Sequence, residues 1–190
     1  MNFNPITINY DIISERLFLR QPRHEDVSQL FLLMSDEKLT HFLTWEHHKN
    51  IETTKAVVQS LIESQVFDKG YHWCILLNKK IIGLISLIDV RRKIRTWTLN
   101  RAELSYWIGT SFQGNGYATE ASKKVIAFGF NNLVLHKIIV AHAAENSESM
   151  RICKKLHFHQ YAYEHDAFQK DNIWNDLIWY ELIKDKYESK

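Results

Sequence analysis

The sequence predicts one α/β domain built on a mixed sheet of parallel and antiparallel strands. Three observations carry this. The chain has 190 residues, 45% of them hydrophobic and 24% charged, which is enough for one buried core and too little for two. Its hydrophobic period switches between helical and alternating several times. In the second half a strand, a glycine-bearing loop, a helix and another strand follow at once, which reads as a single crossover connection. Only six Gly and two Pro interrupt the chain, so connections should be short.

The elements follow in order. "ERLFLRQP", Glu15 to Pro22, alternates Leu17 and Leu19 with polar positions and reads as a strand ending at Pro22. "RHEDVSQLFLLMSD" spaces Val27, Leu30, Phe31 and Met34 at helical intervals. A second helix is expected in "IETTKAVVQSLIESQ", with Val58, Leu61 and Ile62 on one face and Asn50 and Glu52 marking its start. "YHWCILLN" and "KKIIGLISLIDV" read as a hairpin about the turn "NKK". "RAELSYWIGT" is a strand with Leu104, Tyr106 and Ile108 on one side and Glu103, Ser105 and Trp107 on the other. The loop "SFQGNGYATEA" leads into a helix with Ala118, Ala121, Val125 and Phe128 inward. "HKIIVAHAAEN" is a strand, "SESMRICKKL" a short helix, and "FHQYAYEH" and "NIWNDLIWYELI" an antiparallel pair. The count is about seven strands with four helices in a single domain over residues 1–190.

Composition excludes several classes. A formal net charge of +2 is too small to imply nucleic acid. The run "RRKIR", Arg91 to Arg95, reads as a solvated loop, with a docking patch for an acidic partner as the alternative. Cys74 and Cys153 lie in apolar stretches outside any CxxC pair and read as buried free thiols, which suits a reducing compartment. The opening "MNFNPITINYDI" lacks the leader and apolar centre of a signal peptide, and no apolar run reaches membrane-spanning length. The expectation is a cytoplasmic monomer or homodimer with no membrane or nucleic-acid partner.

The loop Ser111–Ala121 carries the first functional signal. Backbone N–H groups at a helix start are unsatisfied, and the helix adds about half a positive charge there. Together they suit a phosphate or diphosphate. Gly114 and Gly116 keep side chains away from such a ligand and permit positive φ. A tight turn without any ligand is the other reading of the same pattern. No Lys-Ser/Thr pair follows as in a P-loop, and no third glycine completes a dinucleotide fingerprint.

The surrounding residues are more specific. Gln113, Gly116 and Ala118 fit the Q/R-x-x-G-x-G/A signature with which GNAT acetyltransferases hold the diphosphate of acetyl-coenzyme A. "AELSYWIGTSFQGNGYATEA" resembles the central strand and loop of the ribosomal-protein N-acetyltransferase branch. "ENSESMRICKKLHF" resembles that branch's N-x-x-S-x-x-x-x-x-K-x-G-F helix, and "SERLFLRQPRHED" is similar to its opening E-R-L-x-L-R-x-x-x-x-x-D. The resemblance spans residues 13–183 in matching order. It implies the GNAT fold, with its centrally splayed sheet, and acetyl-CoA as cosubstrate without a metal. It also implies cofactor contacts from Trp107 and Ile108 on the strand, from Gln113, Gly114, Asn115, Gly116, Tyr117, Ala118 and Thr119 in the loop and helix start, and from Asn146 and Ser149 downstream. Two positions depart from the pattern. His157 stands where the branch has a left-handed glycine cap, which should cost some stability, and Ser105 replaces a strand glycine.

Acetyl transfer to an amine needs a base for the ammonium proton, a donor for the developing oxyanion and a proton for the leaving thiolate. Glu103 is the expected base; its structural alternative is an exposed strand glutamate in a salt bridge. Ser149 is the expected proton donor; its alternative is a helix-start serine bonded to backbone. Asn146 matches the residue that binds the pantetheine arm and also fits an N-cap. The oxyanion donor is expected to be a main-chain N–H near Trp107 or Ile108, where relatives bulge the strand. Tyr106 reads as core, or else as a second acid. The histidines His47, His48, His157 and His159 lack companions at ligand spacing and read as packed or solvated. Relatives shape the acceptor pocket with segments that here carry Trp45, Trp174 and Trp179, the last of which also reads as core. The acceptor implied is a protein N-terminus, such as that of a ribosomal protein. A free small amine (aminoglycoside, polyamine or amino acid) is the alternative, and a non-catalytic acyl-CoA-binding module is the alternative of another class.

Overall fold

The structure, a computed structural model, describes residues 9–188. Residues 1–8, which hold most of the opening stretch read against a signal peptide, lie outside the described residues. The strands are β1 (Ile12–Ile13), β2 (Phe18–Arg20), β3 (Tyr71–Leu77), β4 (Lys80–Ile94), β5 (Trp97–Ile108), β6 (Lys137–Ala143), β7 (His159–Lys170) and β8 (Ile173–Ile183). The helices are α1 (Val27–Met34), α2 (Ile51–Val66), α3 (Tyr117–Asn131), α4 (Ser147–Lys155) and α5 (Lys184–Glu188). All eight strands form one sheet in the order β1-β2-β3-β4-β5-β6-β8-β7. The two elements beyond the sequence expectation, β1 and α5, are two and five residues long, too short to show a hydrophobic period.

Helices cover both faces of the sheet. Leu30 and Met34 of α1 and Val58 of α2 pack with Cys74, Leu84 and Trp107 on one face. Ala121, Val125 and Phe128 of α3 and Cys153 of α4 pack with Leu87, Leu104 and Val140 on the other. Strands covered on both sides need apolar residues at every position. That is why β3 is buried from Tyr71 to Leu76 and β4 from Ile81 to Leu87. Asn50 caps α2 by accepting from the Thr53 N–H at 3.0 Å, as its position predicts. Asn78 and Lys79, with φ of 49° and 67°, make the two-residue turn between β3 and β4. Asp26 is buried and pairs with Arg20 through two 2.7 Å contacts. Burial pushes the Asp26 carboxyl up, but Arg20 and the Arg23 N–H together hold it below the usual range.

The basic run is a correction. Arg91–Ile94 continue β4 and pair with β5, Arg91 opposite Arg101 and Ile94 opposite Trp97, with the turn at Arg95 and Thr96. Arg92 is tied down: its Nε and Nη2 donate to Asp68 at 2.8 and 2.9 Å, and its Nη1 to the Leu133 carbonyl at 2.7 Å. Charged side chains do not stop a strand when a partner strand satisfies the backbone. Hence the hairpin outgrows the sheet where sequence composition suggested a loop.

One strand pair is parallel. β5 and β6, joined across α3, match only at Arg101–Lys137, Ala102–Ile138 and Glu103–Ile139. Beyond Glu103, β5 stays with β4 as far as Ile108, while β6 stays with β8 as far as Ala143. The sheet therefore opens into a wedge. Among the described residues, no helix is long and apolar enough to cross a membrane.

Helix α4 ends as the sequence suggested. His157 takes φ 61°, its N–H bonds to the Lys154 carbonyl at 3.1 Å, and the Phe158 N–H bonds to the Cys153 carbonyl at 2.9 Å. A left-handed residue carrying a Cβ costs about 1–2 kcal/mol, partly offset by the greater freedom glycine has when unfolded. We expect His157→Gly to raise unfolding stability by about 1 kcal/mol, read as a shift in denaturation midpoint.

Candidate active site

The glycine loop lies between β5 and α3. Gly114 and Gly116 have φ of 78° and 79°, so both need the left-handed region. A Cβ at Gly114 would meet no protein atom within 4 Å, and one at Gly116 would meet only Arg16 Nη2, at 3.7 Å. The space above the loop is therefore open. Three carbonyls that border it are turned inward by side chains. Asn115 Nδ2 donates to the Phe112 and Gln113 carbonyls at 3.1 and 3.0 Å, and Gln113 Nε2 donates to the Ile108 carbonyl at 2.8 Å. Two residues expected to contact a cofactor thus shape its loop. Among the described residues, nothing accepts from the N–H groups of Gly114, Asn115, Gly116, Tyr117, Ala118 and Thr119. Six free donors at the start of a 15-residue helix form an anion cradle that fits a diphosphate.

Two anchors hold this loop. Thr110 Oγ1 donates to Asp36 at 2.5 Å on one side. On the other, Arg16 grips Glu120 through Nε and Nη2 at 2.7 and 2.6 Å and reaches the Asn115 carbonyl through Nη1 at 3.1 Å. Glu120 also accepts from Ser14 Oγ at 2.7 Å and from the Arg16 N–H at 2.9 Å. Burial pushes the Glu120 carboxyl up, yet Ser14 and Arg16 hold it below its usual range. Sequence reasoning assigned no role to Arg16 or Glu120. Both stood in the quoted motifs, but nothing in the sequence indicated that the two segments meet.

Glu103 is the last residue of β5 that pairs with β6 and so sits at the apex of the wedge, where the two strands part. Burial pushes its carboxyl pKa up, Asp89 adds to the rise, and Arg101 offsets part of it. Glu103 forms no ion pair within salt-bridge distance among the described residues, unlike the structural alternative considered for it. The bulge expected near Trp107 and Ile108 is not there. Pairing with β4 is continuous from Glu103 to Ile108, and the register shifts fall between Ile88 and Lys93 instead. Donors are freed another way: N–H groups of β5 that face away from β4 lose their partner strand where β6 departs.

On the α3/α4 side of the wedge, the Tyr106 ring packs against the core. Its hydroxyl is buried, and among the described residues no group meets it in hydrogen-bond geometry, Ser149 lying nearby outside that range. Burial raises its pKa, the nearby Cys153 adds to this, and Ser149 draws it back. Ser149 and Tyr106 are therefore neighbours. Asn146 is the N-cap of α4 and accepts from the Ser149 N–H at 3.0 Å. Across the wedge, His142 donates from Nδ1 to the Ala143 carbonyl at 2.8 Å, and its buried Nε2 has no partner among the described residues. Burial keeps that ring neutral at lower pH than usual, so Nε2 is an acceptor. Each wall thus holds an orphaned polar atom, which suits a polar chain such as pantetheine.

The opposite face of the sheet holds Trp107, with Trp45 packed against it. Trp45 meets Trp107 edge-on, 6.1 Å between ring centroids, and packs beside His48. Trp174, at the tip of the β7–β8 hairpin, is 58% exposed. Trp179 is a correction to its core reading: it is half-buried, belongs to neither core cluster, and donates from Nε1 to Glu164 at 2.9 Å. The hairpin tip is tied down by Lys170, whose Nζ donates to the Thr40 and Leu43 carbonyls. His48 is bonded to Thr54, and His157 and His159 are exposed. Among the described residues, no three His, Cys, Asp or Glu side chains gather as metal ligands would.

The chain is similar to known acetyltransferases in sequence and in fold. YoaA, an uncharacterized N-acetyltransferase of Bacillus subtilis, is 28% identical over 170 residues, covering 85% of this chain and 93% of its own. YdaF of the same organism, a putative ribosomal N-acetyltransferase, is 24% identical over 180 residues, covering 93% and 96%. The solved structure of RimL, a ribosomal L7/L12 alpha-N-protein acetyltransferase in complex with coenzyme A, shares the fold with a TM-score of 0.85, 20% identity and coverage of 92% and 98%. The family model "Acetyltransferase (GNAT) domain" matches residues 16–159, from the arginine that clamps the loop to the first residue of β7, and the chain belongs to that family.

Proposed function

We propose that this GNAT acetyltransferase moves an acetyl group from acetyl-CoA directly to the α-amine of a protein N-terminus, such as that of a ribosomal protein. The observation that carries the reading is the cradle of six unpaired N–H groups opening onto a wedge whose apex holds Glu103. The diphosphate would rest on Gly114–Thr119, and the pantetheine arm would run between β5 and β6 past His142 and Asn146. Acetyl-CoA supplies the activated thioester when bound. Glu103 takes the ammonium proton, directly or through water, and frees the nitrogen lone pair for attack on the acyl carbon. Free N–H groups of β5 beyond Glu103 stabilise the charge that grows on the acyl oxygen. As the C–S bond breaks, the Ser149 hydroxyl, beside Tyr106, supplies a proton to the sulfur.

The acceptor follows from acidity. An α-amine has a pKa of about 7.7–8.0 against about 10.4 for lysine, so freeing it at neutral pH costs roughly 3 kcal/mol less. A single carboxylate with a raised pKa is matched to that smaller task. YdaF, aligned over nearly the whole chain, is named for a ribosomal acceptor. Both cysteines are free and buried, in keeping with action in the reducing cytoplasm.

A panel of peptides with N-terminal Ala or Ser, offered beside spermidine, an aminoglycoside and free amino acids while thiol release is followed, tests the acceptor. The peptides should be turned over at least about tenfold more efficiently, a gap of 1.4 kcal/mol. Preference for a free amine would refute the acceptor, and coenzyme A binding with no turnover would leave a binding module. Glu103→Gln should lower kcat about 100-fold at neutral pH and leave affinity for coenzyme A unchanged. The wild-type rate should rise with pH as Glu103 loses its proton, above the ordinary carboxylate range. The deficit of the variant should shrink as pH nears the amine pKa, where no base is needed. An unchanged rate in Glu103→Gln would remove this residue from the mechanism.

A further inference from the structure

We propose that Arg16 is a positioning residue for the donor's diphosphate: it locks the Asn115–Gly116 peptide so that the Gly116 N–H faces the open cradle. The inference rests on the acetyl-CoA reading above and adds a residue which that reading does not use. Its basis is peptide geometry. Arg16 Nη1 donates to the Asn115 carbonyl at 3.1 Å. The peptide is planar and trans, so the N–H of Gly116 points away from the guanidinium. With φ at 79° and no Cβ, Gly116 presents little steric barrier to turning this peptide over. A flipped peptide would aim the Asn115 carbonyl oxygen at the diphosphate, replacing attraction by repulsion. Something outside the loop has to hold it.

Arg16 is itself immobilised for this task. Its Nε and Nη2 are taken by Glu120 at 2.7 and 2.6 Å, and its guanidinium carbon lies 4.6 Å from the centroid of the Tyr117 ring. Glu120 is fixed in turn by Ser14 and by the Arg16 N–H. A planar fork can serve a carboxylate and a carbonyl at once, whereas a lysine ammonium at the same place cannot reproduce that geometry. The pairing has a second effect. Glu120 lies in the first turn of α3, where its charge would oppose an incoming diphosphate. Arg16 cancels that charge locally.

The test separates positioning from general support by changing the donor. Arg16→Ala and Arg16→Lys are compared with the wild type on acetyl-CoA and on S-acetylpantetheine, a thioester lacking the diphosphate, and the Kd for coenzyme A is measured by calorimetry. In Arg16→Ala the Kd and the KM for acetyl-CoA should rise about tenfold or more, the scale of one charged hydrogen bond, with kcat changed less than about twofold. Efficiency on S-acetylpantetheine should stay within about twofold of the wild type. Arg16→Lys should fall between the two on acetyl-CoA and match the wild type on the short donor. Equal losses on both donors, or no loss on either, would overturn the proposal. If Arg16→Ala does not fold, the same contrast is read in Arg16→Lys. A wild-type protein that neither binds coenzyme A nor uses acetyl-CoA refutes the functional reading itself, and this proposal with it.

Discussion

The parting of β5 from β6 after Glu103 is the constraint from which the site follows. Three paired positions join the two halves of the sheet, and then each strand keeps only its outer neighbour. A sheet closed throughout would satisfy every backbone group and leave no entry for a ligand. A sheet divided throughout would lose the shared core that runs from Leu19 on one side to Leu182 on the other. The short parallel contact is the compromise. It also explains why Glu103, the last paired residue of β5, stands where both halves and solvent are within reach.

Charged side chains then join what the sheet alone would leave apart. Arg16, before β2, holds the start of α3 through Glu120, although 104 residues separate them in sequence. Lys170, near the end of β7, holds the Thr40–Leu43 segment that follows α1. Arg92 ties the protruding end of β4 to Asp68 and to the loop after α3. Each of these contacts is partly exposed and worth little as an isolated contribution to stability. Their value is geometric: each ties together segments that lie far apart in the sequence.

Much of this was legible in the sequence. Alternating apolar residues marked β5, and the glycines and the helix start marked the cradle, because those features obey local rules of period and φ. His157 could be read as a left-handed cap because the condition there involves one residue and its helix. What was not legible depends on distance. Arg91–Ile94 form a strand only because Trp97 and Thr98 come back alongside. Trp179 sits in an apolar strand, yet it alternates to the face opposite Ile178 and Tyr180, outside either core cluster. The role of Arg16 appears only when Glu120 is brought against it. Local composition cannot report such meetings.

Unsatisfied groups give the last step. Among the described residues, the Tyr106 hydroxyl and His142 Nε2 are buried without partners, and six N–H groups crowd one helix end with no acceptor. A buried polar group without a partner costs about 1–3 kcal/mol, so the two buried side-chain atoms weigh against stability, whereas the cradle N–H groups lie at exposed or half-buried residues within reach of water. Well-packed cores on both faces, with Trp73, Leu104 and Val58 fully enclosed, offset that cost. A diphosphate carrier with polar groups along its length has the chemistry to serve both the cradle and the two buried orphans. The binding of such a ligand and the stability of the fold are therefore linked: what tightens one must raise the other. The same linkage makes the loop's preset orientation matter. A peptide already facing the ligand surrenders no binding free energy to rearrangement, which is the physical content of preorganisation at this site.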